Sequence, residues 1–368
     1  MINASKNWVR EINYLRAIAI LGVLIIHTTD HTCLINKFTG LTFSLIYIEE
    51  LVRFAVPMFV FVSGFVLHNK YKSNLPMKDF YKKRLLVILI PYLIFSVLYC
   101  IVNAYLNLIP ALTLNSIISS IFNFNASGQF WFIKLILTFY IFYPAIIAYY
   151  EIIKDHFGIH TPTILLLSIS MIYLFGLFEP SLKFTVYSVS PLTYLIYFIF
   201  GIYINDNYDL ICQSLERFSI RQNTLLNILI LIFPFFSMFA VVDLRCSTQF
   251  SNLIPYYNQL ILISTHILHI CIIIFCLHLL LVYKPNIRIL EKIGEYSYGI
   301  FIIHPFFLNF LTICIFPRFS IYPTSLIYYI ILFTFMLTMS YFTVKLMLGN
   351  CFTAYMITGR LKHYLHPA

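Results

Sequence analysis

Two ionisable side chains interrupt an otherwise apolar run that begins at Ile12: Arg16 and His27. A charged residue there costs a few kcal/mol to place in hydrocarbon, so each calls for a reason. They are 11 residues apart. On a helix that spacing returns to nearly the same face, roughly 16 Å further along the axis. Neutral imidazole accepts a proton near neutral pH, and a guanidinium stabilises anionic oxygen. The pair is equipped to activate a hydroxyl by general-base catalysis, with charge stabilisation on the same helical face. Plainer roles stay open for both. A lone helical histidine is as often a hydrogen-bonded packing residue, and an arginine near a helix end extends its head group to the membrane surface.

Other polar groups stand in comparable places. Glu49, Glu50 and Arg53 open the second apolar run. Their i,i+3 and i,i+4 spacings favour local ion pairing. In the alternative, one glutamate orients His27 and stabilises its protonated form; Asp30 and His31 are rivals for that task. Lys134, His266, His269 and His304 also lie in apolar runs, and His266 and His269 share a helical face. No third ligand at metal spacing accompanies them, so no metal site is expected. Lys82, Lys83 and Arg84, with Lys78 before them, form a basic cluster at the mouth of the third run. Such a cluster either marks the cytoplasmic side or holds the phosphates of a soluble donor. The eight cysteines are scattered and form no C-x-x-C pair. A bridge between Cys33 and Cys246, both placed in outer loops, has no further support.

The elements that must position these residues are membrane helices. The chain is 61% hydrophobic and 10% charged, with mean hydropathy +0.87. A soluble domain carries about 25% charged residues, so a water-facing surface is excluded. Runs of about 20 apolar residues lie near 12–32, 43–68, 85–107, 130–150, 162–178, 186–205, 224–242, 258–283, 297–316 and 324–348. The stretch 111–124 reads as a re-entrant or interfacial segment. The expected fold is an all-α polytopic helix bundle of about ten spans, comprising a transmembrane domain over 1–348 and a short basic tail over 349–368. The first run holds Arg16 and His27 and lacks a small-residue cleavage signature, so it reads as a retained helix. With the N-terminus inside, the outer loops hold only Lys37, Lys183, Arg245 and Arg318 of the 24 lysines and arginines. That bias places both termini in the cytoplasm and accounts for the +10 net charge without nucleic acid.

Five segments, in order, resemble the acyltransferase 3 family of membrane acyltransferases. The first helix carries an arginine, Arg16, followed 11 residues later by His27. The second reads Val56-Pro-Met-Phe-Val-Phe-Val-Ser-Gly64, similar to V-P-x-F-F-x-x-S-G. The third runs from Phe80 through Lys82-Lys83-Arg84 to Pro91-Tyr92. The fourth starts Trp131-Phe-Ile and ends Tyr143-Pro144, and the ninth, Gly294 to His304, resembles S-Y-x-x-Y-L-x-H. One departure is Val87, where many members carry a second arginine three positions after the one matching Arg84.

The resemblance implies an integral O-acyltransferase of the bacterial cytoplasmic membrane. It would move an acyl group, acetyl first among them, from acyl-coenzyme A to a hydroxyl of an envelope glycan or lipid-linked acceptor, with no bound cofactor. His27 matches the family's essential histidine, with Arg16 as its catalytic companion. Glu49, Glu50, Arg53 and His304 take supporting roles, Lys82, Lys83 and Arg84 the donor, and Trp131 and Lys134 the acceptor. The competing expectations are a transporter or flippase for polysaccharide or lipid-linked sugar, and an envelope polysaccharide polymerase. Buried histidines and a lysine suit a permeation path equally.

Overall fold

The computed structural model describes residues 4–30, 40–72, 74–109, 111–165, 167–168, 171, 190–232 and 254–359. Every regular element among them is helical. Hydrocarbon offers the backbone no partner, so each span closes its own hydrogen bonds. In chain order the principal helices are α1 (Ala4–Thr29), α2 (Gly40–Val52), α3 (Ala55–Tyr71), α4 (Met77–Tyr105), α5 (Leu114–Asn123) and α6 (Trp131–Phe157). There follow α7 (Pro191–Asp206), α8 (Tyr208–Glu216), α9 (Ile220–Ile232), α10 (Ile254–Tyr283), α11 (Arg288–Asn309), α12 (Leu326–Gly349) and α13 (Cys351–Thr358).

Among the described residues, six helical stretches are long and apolar enough to cross a bilayer: Gly40–Tyr71, Met77–Tyr105, Gly128–Phe157, Thr265–Tyr283, Arg288–Phe319 and Leu326–Gly349. They coincide with six of the expected runs. Of the others, 12–32 corresponds to α1, 186–205 to α7 and 224–242 in part to the shorter α9. The run 162–178 lies largely outside the described residues, as do His31, Cys33, Lys37, Lys183, Arg245, Cys246 and residues 360–368. Six cysteines among the described residues carry free thiols.

Two details differ from the sequence expectation. The run 43–68 is not one helix. It breaks at Arg53–Phe54, and α3 restarts at Ala55 with Pro57 in its first turn, where a missing amide hydrogen costs nothing. The basic cluster lies inside α4, which begins at Met77 rather than near residue 85. The stretch 111–124 forms the short α5. Thr113 and Ser116 cap it reciprocally, Ser116 N donating to Thr113 Oγ1 at 3.1 Å and Thr113 N to Ser116 Oγ at 2.9 Å.

The chain divides into two compact units, Met1–Ser73 with Ala145–Glu295, and Asn74–Pro144 with Tyr296–Ala368. In the first, α3 packs on α7 and α1, while α1 also meets α2 and α10. Gly64 and Gly201 make the α3–α7 approach possible. A β-carbon on Gly64 would stand 2.1 Å from the carbonyl oxygen of Phe198, and one on Gly201 2.1 Å from that of Phe61. Leu15, Ile20, Leu24, Met58, Phe61 and Phe198 are wholly buried around this crossing.

In the second unit α13 packs on α12 and α4, and α4 on α5. Gly359 ends α13 with φ +61°, a conformation that favours glycine, and its Cα lies against α4: a β-carbon there would be 2.3 Å from the carbonyl oxygen of Leu86. Outward faces are apolar, with Ile330, Phe342 and Leu346 of α12 and Leu225, Leu229 and Ile232 of α9 all exposed. A lipid environment suits such surfaces.

Candidate active site

His27 occupies the last turn of α1 and is half-buried. The two residues after His27 bond back onto the preceding turn: Thr28 Oγ1 donates to Leu24 O at 2.7 Å, and Thr29 Oγ1 to Ile25 O at 2.9 Å and Ile26 O at 3.1 Å. These bonds hold the final turn in helical form and so fix where the imidazole is presented. Arg16 lies on the same unbroken helix, half-buried, and donates from Nη1 to Asn13 Oδ1 at 3.4 Å.

Glu49 and Glu50 are each 2% exposed at the end of α2. Arg53, just beyond the helix, turns back on both, donating from Nη2 to Glu49 and from Nε to Glu50 Oε1, the latter at 3.1 Å. The local ion pairing expected from their spacing is therefore present. Two buried carboxylates around one fork-shaped guanidinium form a well-directed arrangement.

The same unit holds a polar seam that sequence reasoning reached only in part. His266, 8% exposed on α10, donates from Nε2 to Thr193 O of α7 at 3.0 Å; a carbonyl only accepts, so this nitrogen carries the proton. Tyr197 of α7 stacks on His266 with ring centroids 5.4 Å apart, and its hydroxyl lies 3.2 Å from His269 Nδ1. His266 and His269 do share one buried face, as their spacing requires. Among the described residues no group of three His, Cys, Asp or Glu is arranged to hold a metal.

The remaining predicted residues belong to the second unit. Lys82 and Lys83 are exposed on α4, and the Arg84 guanidinium sits 5.9 Å from the Tyr140 ring centroid. Trp131 begins α6, half-buried, and Lys134 is exposed one turn on. His304 is fully buried on α11. Its Nδ1 donates to Ile300 O at 3.1 Å, which fixes the orientation of the ring. Pro305 beside it lacks the amide that would continue the ladder. The neighbouring carbonyl of Ile302 accepts from the Tyr99 hydroxyl at 2.7 Å and from Gln129 Nε2 at 3.4 Å.

One cluster escaped the sequence analysis. Asp206, at the end of α7, accepts from His68 Nε2 at 3.4 Å, Lys72 Nζ at 3.3 Å, Tyr150 Oη at 3.2 Å and Lys154 Nζ at 2.5 Å. The hydrogen bond from His68, and then Lys154, hold its carboxyl well below the usual carboxylate range against the opposing effect of burial. Asp206 follows directly on an apolar run, which was the available signal. Its partners are spread over α3 and α6 and are invisible in spacing.

The acyltransferase 3 model, described as an acyltransferase domain, matches residues 9–345, nearly the whole chain. The chain belongs to the acyltransferase 3 family. Its helical, multi-pass character agrees with that membership. Among curated proteins it is similar to the probable poly-beta-1,6-N-acetyl-D-glucosamine export proteins of Staphylococcus aureus strains MSSA476, MW2 and N315. Each is 25% identical over 320 residues, covering 82% of this chain and 83% of the relative. No solved structure gives a significant match.

Proposed function

We propose that this acyltransferase 3 protein transfers an acyl group, acetyl first among them, from acyl-coenzyme A to a hydroxyl of a cell-envelope glycan or lipid-linked acceptor. The observation that carries this reading is the family match over residues 9–345, with Arg16 and His27 on one unbroken helix at the family's spacing. An alcohol attacks a thioester carbonyl well only as its proton leaves. In this scheme His27 removes that proton, and the carbonyl end of α1 favours the cation that forms on the ring. The acyl carbon forms a bond to the alcohol oxygen, the carbon–sulfur bond breaks, and coenzyme A thiolate leaves to take up the proton. Arg16 steadies negative charge as it develops.

The supporting roles follow from residue chemistry. Glu49 and Glu50, gathered by Arg53, lie on a helix packed against α1 and would help orient His27. His304 would serve as a buried imidazole held in one orientation by Ile300 O. Lys82, Lys83 and Arg84 suit the phosphates of the donor; with Val87 in place of a second arginine, the two lysines carry more of that task. Trp131 and Lys134 would meet the acceptor. The full topology in this reading has ten spans and both termini in the cytoplasm of a bacterial cell.

The second reading is export or translocation of a polysaccharide, favoured by the name of the staphylococcal relatives. Mass spectrometry of envelope glycans from cells making wild-type or His27→Ala protein separates the two. Loss of acyl groups on chains of normal length, with the variant inserted at normal level, supports acyl transfer. Unchanged acylation with the well-inserted variant removes His27 from the mechanism, and shortened or unexported polymer supports the second reading.

A further inference from the structure

A cavity of about 110 Å³ opens where α1 begins and α10 ends, lined by Arg10, Glu11, Tyr14, Leu280, Lys284 and Pro285. All six belong to the first unit. Glu11 is 8% exposed, and its Oε2 has no hydrogen-bond partner in the protein. A buried carboxyl oxygen left unmatched is costly, and the nearby hydroxyl does not serve it. Tyr14 Oη donates to Pro285 O at 3.0 Å and accepts from Ile287 N at 2.8 Å, so its hydrogen is already committed. Arg10 is exposed at the rim, and Lys284, 61% exposed, reaches Glu216 of α8 at 3.4 Å.

The cavity thus has an acceptor in its wall and two cations beside it. A free metal cation or simple amine meets the two positive charges, and a simple anion meets the carboxyl group. A molecule carrying an ammonium and a phosphate a few bonds apart answers all three. The place also fits: this layer follows the apolar part of α10 and precedes that of α1, where charged residues gather at a membrane boundary.

We propose that this cavity binds a phosphate ester bearing a primary ammonium, with the ammonium on Glu11 and the phosphate between Arg10 and Lys284. A membrane lipid headgroup and its soluble counterpart share that chemistry. The proposal does not depend on acyl transfer.

The test is titration of the full chain in detergent with phosphatidylethanolamine, phosphatidylglycerol and soluble phosphoethanolamine, read by native mass spectrometry. The expected result is preferential binding of phosphatidylethanolamine over phosphatidylglycerol. Glu11→Gln should cost roughly tenfold in affinity for the amine lipid and leave the other unchanged, while Lys284→Gln should weaken both. Competition by soluble phosphoethanolamine assigns the site to the small molecule; lipid binding without such competition assigns it to the membrane. Equal binding of the two lipids by the wild type overturns the proposal whether or not the variants fold. So does an amine preference that survives Glu11→Gln.

Discussion

Gly64 of α3 lies so close to the main chain of Phe198 in α7 that a β-carbon would stand 2.1 Å from the carbonyl oxygen and 2.9 Å from the carbonyl carbon. Neither backbone atom can swing aside as a side chain would. Gly64 is also the last residue of the Val56–Gly64 segment that resembles the family motif, so the closing glycine of that motif has a packing role here.

Gly64→Ala is therefore expected to lower stability by about 3 kcal/mol, through strain at a crossing that cannot relax locally. Gly40→Ala is the control, because nothing lies within 4 Å of a β-carbon there. Thermal unfolding of both variants in detergent checks the difference. Equal melting temperatures would contradict the packing argument.

Arg53 is the second point of leverage. Its removal leaves Glu49 and Glu50, each 2% exposed, without the guanidinium that gathers them. Arg53→Ala should destabilise the protein by about 3–5 kcal/mol. Arg53→Lys should recover only part of this, since a point charge does not reproduce the two-pronged geometry. Denaturation midpoints of the three proteins, measured side by side, decide the matter.

The cluster on Asp206 predicts a pH dependence. Its carboxyl pKa is lowered below the ordinary 3.8, chiefly by the hydrogen bond from His68. A lowered acid pKa contributes stability that is fully present above the ordinary value and is lost as pH falls through the folded-state value. Asp206→Asn should thus cost about 2 kcal/mol at neutral pH. The gap from wild type should hold steady down to roughly pH 5 and narrow below about pH 4. A gap that widens on acidification would reverse the sign and refute the assignment.

Tyr99→Phe removes one buried hydroxyl. The ring keeps its stack on Phe306, at 3.9 Å between centroids, and loses the hydroxyl's bond to Ile302 O together with its interactions with Gln129 and Ser127. A loss of about 1 kcal/mol is expected in equilibrium unfolding. No change would mean that Gln129 alone satisfies that carbonyl.

Much of the fold was legible in the sequence because hydrocarbon imposes a simple rule. Long apolar runs have to be helices, and α4, α6, α10, α11 and α12 lie where hydropathy puts them. The break between α2 and α3 was not read, although Pro57 signalled it; a run bounded by its charges hides a proline that sits in the first turn of a new helix. Within the candidate site, the Glu49–Glu50–Arg53 group was legible because its partners are three and four residues apart. The Asp206 cluster was not, since His68 is 138 positions away in sequence. Long-range pairs of that kind leave no periodic trace.

The seat of Gly359 against Leu86 bears on how the protein matures. Leu86 lies two residues beyond Arg84, so the turn of α4 that carries the basic cluster receives a neighbour from near the far end of the chain. During synthesis that turn is inserted long before α13 exists. Its final surroundings are complete only after residue 359 has left the ribosome. Shortening the chain ahead of α13 would thus leave α4 inserted yet unfinished at its charged end, which makes residues 351–359 a poor place for truncation.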